Sequence, residues 1–404
     1  MDAFNYFAPT RVLFGPGKLA ELGDQRLPGT RALLVTTGGT SVKANGYLAR
    51  VEKELARAGA DYVLFDRIEP NPLRATVNEG GWLARRQGCD FVLALGGGSV
   101  MDGSKGICAV AANPHHDDDG NEVAGDIWDY VAGGTARGLP IENDPLPLVC
   151  VTTTAGTGSE VDAGGIISCK ETGEKLRLGN PRLFPRLSVV DPELMLTVPP
   201  RLTAFQGFDA LFHSIECYIS NLHNPMGDMI CREGIRAAAE ALPACVANGK
   251  DLAARTRLAF ANTLGGYAMD ASGTTGCHGT EHAMSARHHD LPHGAGLIMI
   301  VSAYHQHMID AHACDERYED MARLMGATEA EIAERGPEAF IDHLELLKHE
   351  CGVDRLRMSD WGIEEDELDA IAELGLTTNA VLYAHDPKPL SRGDVADILR
   401  RSWR

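Results

Sequence analysis

From residue 30 onward the chain alternates short, continuous apolar runs with longer amphipathic stretches. TRALLVTT (30–37) reads as a buried strand, and KANGYLARVEKELARAG (43–59) comes next with Leu48, Val51 and Leu55 on one helical face. DYVLF (61–65) predicts the next strand, RATVNEGGWLARRQG (74–88) a helix, and DFVLAL (90–95) a third strand running into GGGS. Further strands are predicted at PLVCVT (147–152), AGGIIS (163–168) and LSVVD (187–191). Alternation of this kind implies a parallel sheet with helices on its faces. After DPELMLTVPP (191–200) the strand-like runs largely stop. The remainder of the chain is helical: AFANTLGGYAM, the Met321, Leu324, Met325 stripe, then Phe340, Leu344 and Leu347, and a last helix from Ser391 with a capping-box partner at Asp394. The pattern predicts an α/β domain over 1–192 and an all-α domain over 193–404, with a cleft between them as the expected place for chemistry. There is no internal repeat.

Four residues of the helical half have the spacing of a single-metal site. Asp209 and His213 lie in a stretch of helical periodicity (199–220), so a separation of four puts carboxylate and imidazole on one face. His278 and His293 come from GCHGTEHAMSARHHDLPHGAGL (276–297), where the Gly and Pro around His293 place that imidazole at the mouth of the next helix. One carboxylate with three imidazoles suits a divalent transition ion such as Fe(II) or Zn(II) and leaves a position for a substrate oxygen. With 15 His in the chain, spacing alone is weak evidence, because a buried His is more often a hydrogen-bonded core residue. The run NPHHDDDGNEVAGD (113–126) fits a solvated loop better than a metal site at His115 and His116.

Two glycine-rich segments change the odds. GGGSVMDGSK (96–105) follows a strand and opens a helix, so Gly97 and Gly98 let the backbone approach a diphosphate at the helix start. The alternative is a tight strand-to-helix turn in which Ser99 caps the helix and Asp102 sits in the first turn, favoured by the dipole. In TTTAGTGSEVDAGG (152–165), hydroxyls including Thr153 and Thr157 suit phosphate and ribose oxygens, or bond their own loop. Lys175 either reaches a ribose or phosphate or is an isolated surface lysine.

Taken together, GGGSVMDGSK, TTAGTGSEVD, DPELMLTVPP, FDALFHSIE and HGTEHAMSA with PHGAGL resemble, in order and spacing, the iron-containing (group III) alcohol dehydrogenases. The resemblance covers nearly the whole chain. It implies a dinucleotide-binding α/β domain followed by a helical metal domain, assembled as a homodimer or larger. It implies cofactor roles for Gly97, Gly98, Ser99, Asp102, Thr153, Thr157 and Lys175, and metal ligation by Asp209, His213, His278 and His293. His282 matches the family's extra active-site histidine, either a proton relay near the alcohol oxygen or a residue that only orients its neighbours. The chain departs from the family in placing His278 and His293 fifteen apart rather than fourteen, so His288 or His289 competes for the ligand role. The implied reaction is hydride transfer between a small, primary alcohol and NAD or NADP. The VTTGGTSVK loop (35–43) carries no carboxylate to repel a 2′-phosphate. It resembles the loop of butanol-dehydrogenase-type aldehyde reductases, with Gly38, Gly39 and Ser41 available to a 2′-phosphate and Lys43 nearby, so NADP is the expected preference. The rival from another class is a dehydroquinate-synthase-like lyase, which uses NAD and a metal but lacks the Asp209/His213 pair.

Composition narrows the partners. A net charge of −20 offers no basic stripe for nucleic acid or an anionic membrane. The N-terminus lacks a secretory signal pattern and no run of 18 apolar residues occurs, so a cytoplasmic address is expected. Ten scattered Cys with no CxxC are expected to be reduced.

Overall fold

The computed structural model describes residues 3–403. Ten strands occur among them: β1 (Arg11–Phe14), β2 (Arg31–Thr37), β3 (Asp61–Ile68), β4 (Phe91–Gly96), β5 (His115–His116), β6 (Glu122–Val123), β7 (Leu148–Thr152), β8 (Gly164–Cys169), β9 (Glu174–Gly179) and β10 (Leu187–Val190). Six of them form one all-parallel sheet in the order β1-β10-β7-β4-β2-β3. The unbroken apolar runs are explained by burial on both faces. Leu33, Val35, Val92, Ala94 and Cys150 enter one core, while Leu34, Leu93, Leu95, Val149 and Val151 enter the other. Successive side chains thus alternate between two dry layers, as a doubly covered parallel sheet requires.

The Arg74–Arg86 helix holds two adjacent glycines in its middle, each costing about 1 kcal/mol of helix propensity relative to alanine. A Cβ on Gly80 would lie 2.6 Å from the Ile107 side chain and one on Gly81 2.6 Å from that of Val110. Glycine here lets this helix press against the Gly98–Ala112 helix.

Some elements differ from the sequence expectation. The AGGIIS strand does not join the main sheet but pairs antiparallel with β9. Its turn passes through Gly173 at φ +64°, a conformation glycine adopts without strain. The 113–126 loop contains the short β5–β6 ladder, and His115 bonds Asp129 at 2.6 Å. Ser99 does not cap its helix: Gly97 is the N-cap, and the Ser99 hydroxyl accepts from the backbone N–H of Asn71 at 3.3 Å. Asp102 lies beyond the first turn of that helix, where the terminal dipole has faded. The last helix, Arg392–Ser402, has its Ser391/Asp394 capping box.

The chain divides into two compact units. One comprises Ala8–Thr154 with Gly158–Thr197, and the other Met1–Phe7, Ala155–Thr157 and Val198–Arg404. The second is helical, led by the Pro200–Ile219 helix, of which nearly every residue after its first turn is buried. No helix among the described residues is long and apolar enough to cross a membrane.

Candidate metal centre and cofactor loops

Asp209 and His213 face the same way on the Pro200–Ile219 helix, with Asp209 Oδ1 3.6 Å from His213 Nε2. His278 lies in the first turn of the Gly276–Arg287 helix, and His293 is the first residue of the His293–Asp310 helix, with Pro292 as its N-cap. These helix starts bring His278 Nε2 to 3.6 Å and His293 Nε2 to 3.4 Å from the same Asp209 oxygen.

Three imidazole nitrogens around one carboxylate oxygen at these distances are too far for good hydrogen bonds. Each Asp209–imidazole separation is that of two neighbouring donors on one ion, since tetrahedral donors at about 2.0–2.2 Å from an ion stand about 3.3–3.6 Å apart. Asp209 Oδ1 and His278 Nε2 are moreover buried with no hydrogen-bond partner. Donor types, separations and unsatisfied atoms therefore all fit a divalent cation. Among the described residues two trios have donor atoms all within 4.8 Å of one another, Asp209, His278 and His293, and Glu281, His282 and His293. His213 stands at the edge of the set, its ring stacked on His278 at 4.7 Å between centroids. His288 is turned to Glu367 at 2.8 Å, and neither it nor His289 joins a close donor group among the described residues.

Each imidazole is oriented through its other nitrogen. His278 Nδ1 bonds Glu216 Oε1 at 2.6 Å, His293 Nδ1 bonds Glu281 Oε2, and His213 Nδ1 bonds the Gly156 carbonyl at 3.2 Å. With Nδ1 as donor, each Nε2 presents its lone pair inward. Sequence reasoning missed Glu216 and Glu281, because Glu216 serves a histidine 62 residues away rather than its helix neighbour.

The electrostatics follow from burial set against these partners. Burial works to raise the Asp209 carboxyl, but the imidazoles of His213 and His293 outweigh it and hold the group well below the carboxylate range. Burial pushes His213 down to about 4, so it is neutral at physiological pH. Burial also opposes charge on His278, yet Glu216 and Asp209 raise it to about 10. Ion binding there displaces a proton.

The start of the His278 helix is anchored by Asp386, whose Oδ1 accepts from Gly276 N and the Tyr304 hydroxyl. Burial pushes this carboxyl up to about 7, and its Oδ2 has no hydrogen-bond partner. A folded-state value above the unfolded one contributes stability that is full below about pH 4 and lost as pH rises through about 7. Asp386→Asn should flatten the melting temperature between pH 5 and 8. A wild-type loss of stability retained unchanged in the variant would assign that pH dependence elsewhere.

In the α/β unit, β2, β4 and β7 are neighbours, so Gly38–Gly39, Gly97–Ser99 and Thr153 emerge side by side at one carboxyl edge of the sheet. Thr153 N donates to the Gly96 carbonyl at 3.0 Å. A Cβ on Gly97 would lie 2.9 Å from the Thr154 side chain, so any larger residue there would force Thr154 to move. Such an edge, ending in a helix start, suits a dinucleotide diphosphate. The remaining predicted residues lie differently. The Asp102 carboxylate accepts from Ser159 Oγ at 2.6 Å and Ile166 N at 2.9 Å. Lys175 is buried on β9 rather than a surface lysine, and Thr157 belongs to the short segment grouped with the helical unit. Lys43 is paired with Asp66 at the end of β3, a carboxylate beside the Gly38 loop that local sequence could not show. Asn71, between two prolines, has a left-handed φ of +53° next to Ser99.

Comparison with known proteins identifies the family. Residues 9–192 match the model of the iron-containing alcohol dehydrogenases, and residues 203–403 match that of the C-terminal part of the Fe-containing alcohol dehydrogenase family. The chain is 32% identical to a probable NADH-dependent butanol dehydrogenase of Bacillus subtilis, covering 100% of both chains. It is 31% identical to the 1,3-propanediol dehydrogenase of Citrobacter freundii, over 99% of each. An archaeal halo-thermophilic alcohol dehydrogenase from a Red Sea brine pool superimposes with a TM-score of 0.91 at 32% identity, over 99% of each chain. A 1,3-propanediol oxidoreductase structure gives 0.88 at 31% identity, over 100% of each. With matches to both family models and full-length relatives above 30% identity, the chain belongs to the iron-containing alcohol dehydrogenase family.

Proposed function

We propose that this chain interconverts small primary alcohols and aldehydes by hydride exchange with a nicotinamide dinucleotide, using a divalent ion held by Asp209, His213, His278 and His293. The observation that carries the reading is Asp209 Oδ1, buried, unpartnered and 3.4–3.6 Å from three imidazole nitrogens. Iron is the expected metal from the family, with Zn(II) compatible with the same donors. When bound, the ion supplies Lewis-acid polarisation of the alcohol or carbonyl oxygen. The chain's own part is to keep three Nε2 lone pairs aimed inward through Glu216, Glu281 and the Gly156 carbonyl. It also places His282, 5% exposed, beside His293 at 5.5 Å between ring centroids, where it can take or return the alcohol proton. The cofactor is assigned to Gly38, Gly39, Ser41, Gly97, Gly98, Ser99 and Thr153, with Thr157 and Lys175 as further contacts. Asp102 acts by bracing the glycine-rich helix. A cytoplasmic enzyme, homodimeric or larger, is the assembly this reading carries.

The test is an aldehyde and alcohol panel assayed with both nicotinamides after loading with Fe(II) and with Zn(II). Turnover that does not depend on metal would overturn the reading.

NAD is the cofactor that the NADH-dependent relative supports. The chain's own loop favours NADP, since no carboxylate stands at Gly38, Gly39 or Ser41; the Gly38 N–H donates to the Ile68 carbonyl at 3.1 Å and the Gly39 N–H to Thr37 Oγ1 at 3.2 Å, so the Ser41 hydroxyl is the group this reading offers first to a 2′-phosphate. Lys43 is held by Asp66 and adds less charge than its position suggests. A Cβ on Gly38 would meet the Asp66 carbonyl at 3.5 Å, an ordinary contact, so Gly38→Asp is sterically allowed. The expected result is a higher kcat/KM with NADP in the wild type and a swing of tenfold or more toward NAD in Gly38→Asp, about 1.4 kcal/mol in transition-state binding. A wild type favouring NAD tenfold would show that this loop does not read the 2′ position.

A further inference from the structure

His282 has a specific partner far away in the chain. Its Nδ1 lies 3.3 Å from Asn379 Oδ1, and both residues are buried, at 5% and 8% exposure. Asn379 closes the Leu368–Thr378 helix and precedes the short Ala380–Tyr383 helix. An asparagine at such an N-cap position ordinarily accepts from the next helix's own N–H. Here it makes no side-chain cap bond. The amide is spent on the histidine instead.

The amide's orientation follows from its neighbour. Thr378 Oγ1 lies 2.7 Å from the Leu374 carbonyl, which can only accept, so the threonine proton is committed there. Toward Asn379, 3.0 Å away, Thr378 Oγ1 can therefore only accept, and the group facing it must be the Asn379 NH₂. Asn379 Oδ1 then faces His282, and a carbonyl oxygen facing an imidazole nitrogen requires that nitrogen to carry the proton. His282 is thus held with a proton on Nδ1, leaving Nε2 as the basic atom of the neutral ring. A ring nitrogen of His282 is also one of the three donors, with Glu281 and His293, that lie within 4.8 Å of one another.

We propose that Asn379, its amide oriented by Thr378, is a positioning residue that fixes His282 in the Nδ1–H tautomer, so that Nε2 is the atom exchanging the alcohol proton. This rests on the relay reading of His282, but tautomer and relay are separately measurable.

The direct test is the two-bond ¹⁵N–¹H correlation spectrum of the Zn(II)-loaded, ¹⁵N-histidine-labelled protein, with the His282 signals identified by their loss in His282→Asn. The expected wild-type spectrum shows His282 protonated at Nδ1 and bare at Nε2. Asn379→Leu should lose this signature and lower kcat by about tenfold or more, short of the ~10²–10⁴-fold cost of losing the acid–base group itself. Its metal content and cofactor KM should stay unchanged. Asn379→Asp retains the acceptor and should restore both the tautomer and most of kcat. Thr378→Val, which keeps the packing, should mix the tautomers. A wild-type His282 protonated at Nε2, or an Asn379→Leu protein with the Nδ1–H signature intact, overturns the proposal. If Asn379→Leu does not fold, the wild-type and Thr378→Val spectra decide. Full activity in His282→Ala would remove the relay reading while leaving the tautomer assignment to its own spectrum.

Discussion

Alanine at either His213 or His278 should abolish stoichiometric metal retention and turnover, but the two variants should differ in stability. His213 donates its Nδ1–H to a backbone carbonyl, that of Gly156. Its loss opens a small polar space and leaves a neutral acceptor. His278 instead balances Glu216, which is 0% exposed and which His278 holds charged against the opposing effect of burial. Removing His278 strands that carboxylate with only the Thr275 N–H and hydroxyl as strong donors, at 2.9 and 2.7 Å. Breaking a buried ion pair from one side costs about 3–5 kcal/mol. Compared metal-free, so that ligand stabilisation does not enter, His278→Ala should therefore melt well below His213→Ala at neutral pH. The sign with pH is fixed. The Glu216 pKa is depressed in the folded wild type, so its pairing contributes stability above the ordinary carboxylate range and loses it in acid. The gap between wild type and His278→Ala should accordingly narrow as pH falls. Denaturant titrations with metal analysis by mass spectrometry check both parts. A His213→Ala protein with one ion per chain and full turnover would remove His213 from the ligand set. Equal stability of the two variants would show that Glu216 does not depend on His278 for its charge.

How much of this was legible in the sequence depends on how far apart the cooperating residues are. The buried strands announced themselves because a parallel sheet covered on both faces needs continuous apolar runs, and TRALLVTT, DFVLAL and PLVCVT supply them. β1 was missed because four residues at a sheet edge carry little pattern. β9 was missed because EKLRLG places charged residues in a two-stranded hairpin. The spacing of the proposed ligands was readable where it lies within one helix, as for Asp209 and His213, or where a motif marks a helix start, as for His293. The residues that orient the ligands were not. Glu216 reaches His278 across 62 residues and Asn379 reaches His282 across 97, separations that no local periodicity encodes. The cofactor loops show the same limit. Each glycine-rich turn was visible alone, but the Asp66 carboxylate that captures Lys43 comes from the neighbouring strand.

His282→Ala should keep its metal and lose its turnover. The residue is near the proposed ligands, with ring centroids 6.3 Å from His278 and 5.5 Å from His293, yet it is not in the trio gathered around Asp209. One of its nitrogens, Nδ1, faces Asn379 Oδ1 at 3.3 Å rather than the Asp209 oxygen. The Asp209 oxygen already has three imidazole nitrogens within 3.6 Å, so a fourth histidine is not needed to complete the donor set. A fifth-ligand role predicts that His282→Ala loses metal and activity together. A relay role predicts that it keeps one ion per chain and loses turnover by about 10²–10⁴-fold, the usual cost of removing a positioned acid or base. The loss should fall on kcat, with cofactor KM little changed, because the α/β loops assigned to the dinucleotide are untouched. Metal content, cofactor KM and kcat measured on one preparation separate the cases. Metal lost in parallel with activity would make His282 a ligand, and turnover within a few-fold of wild type would leave it as packing around His278 and His293.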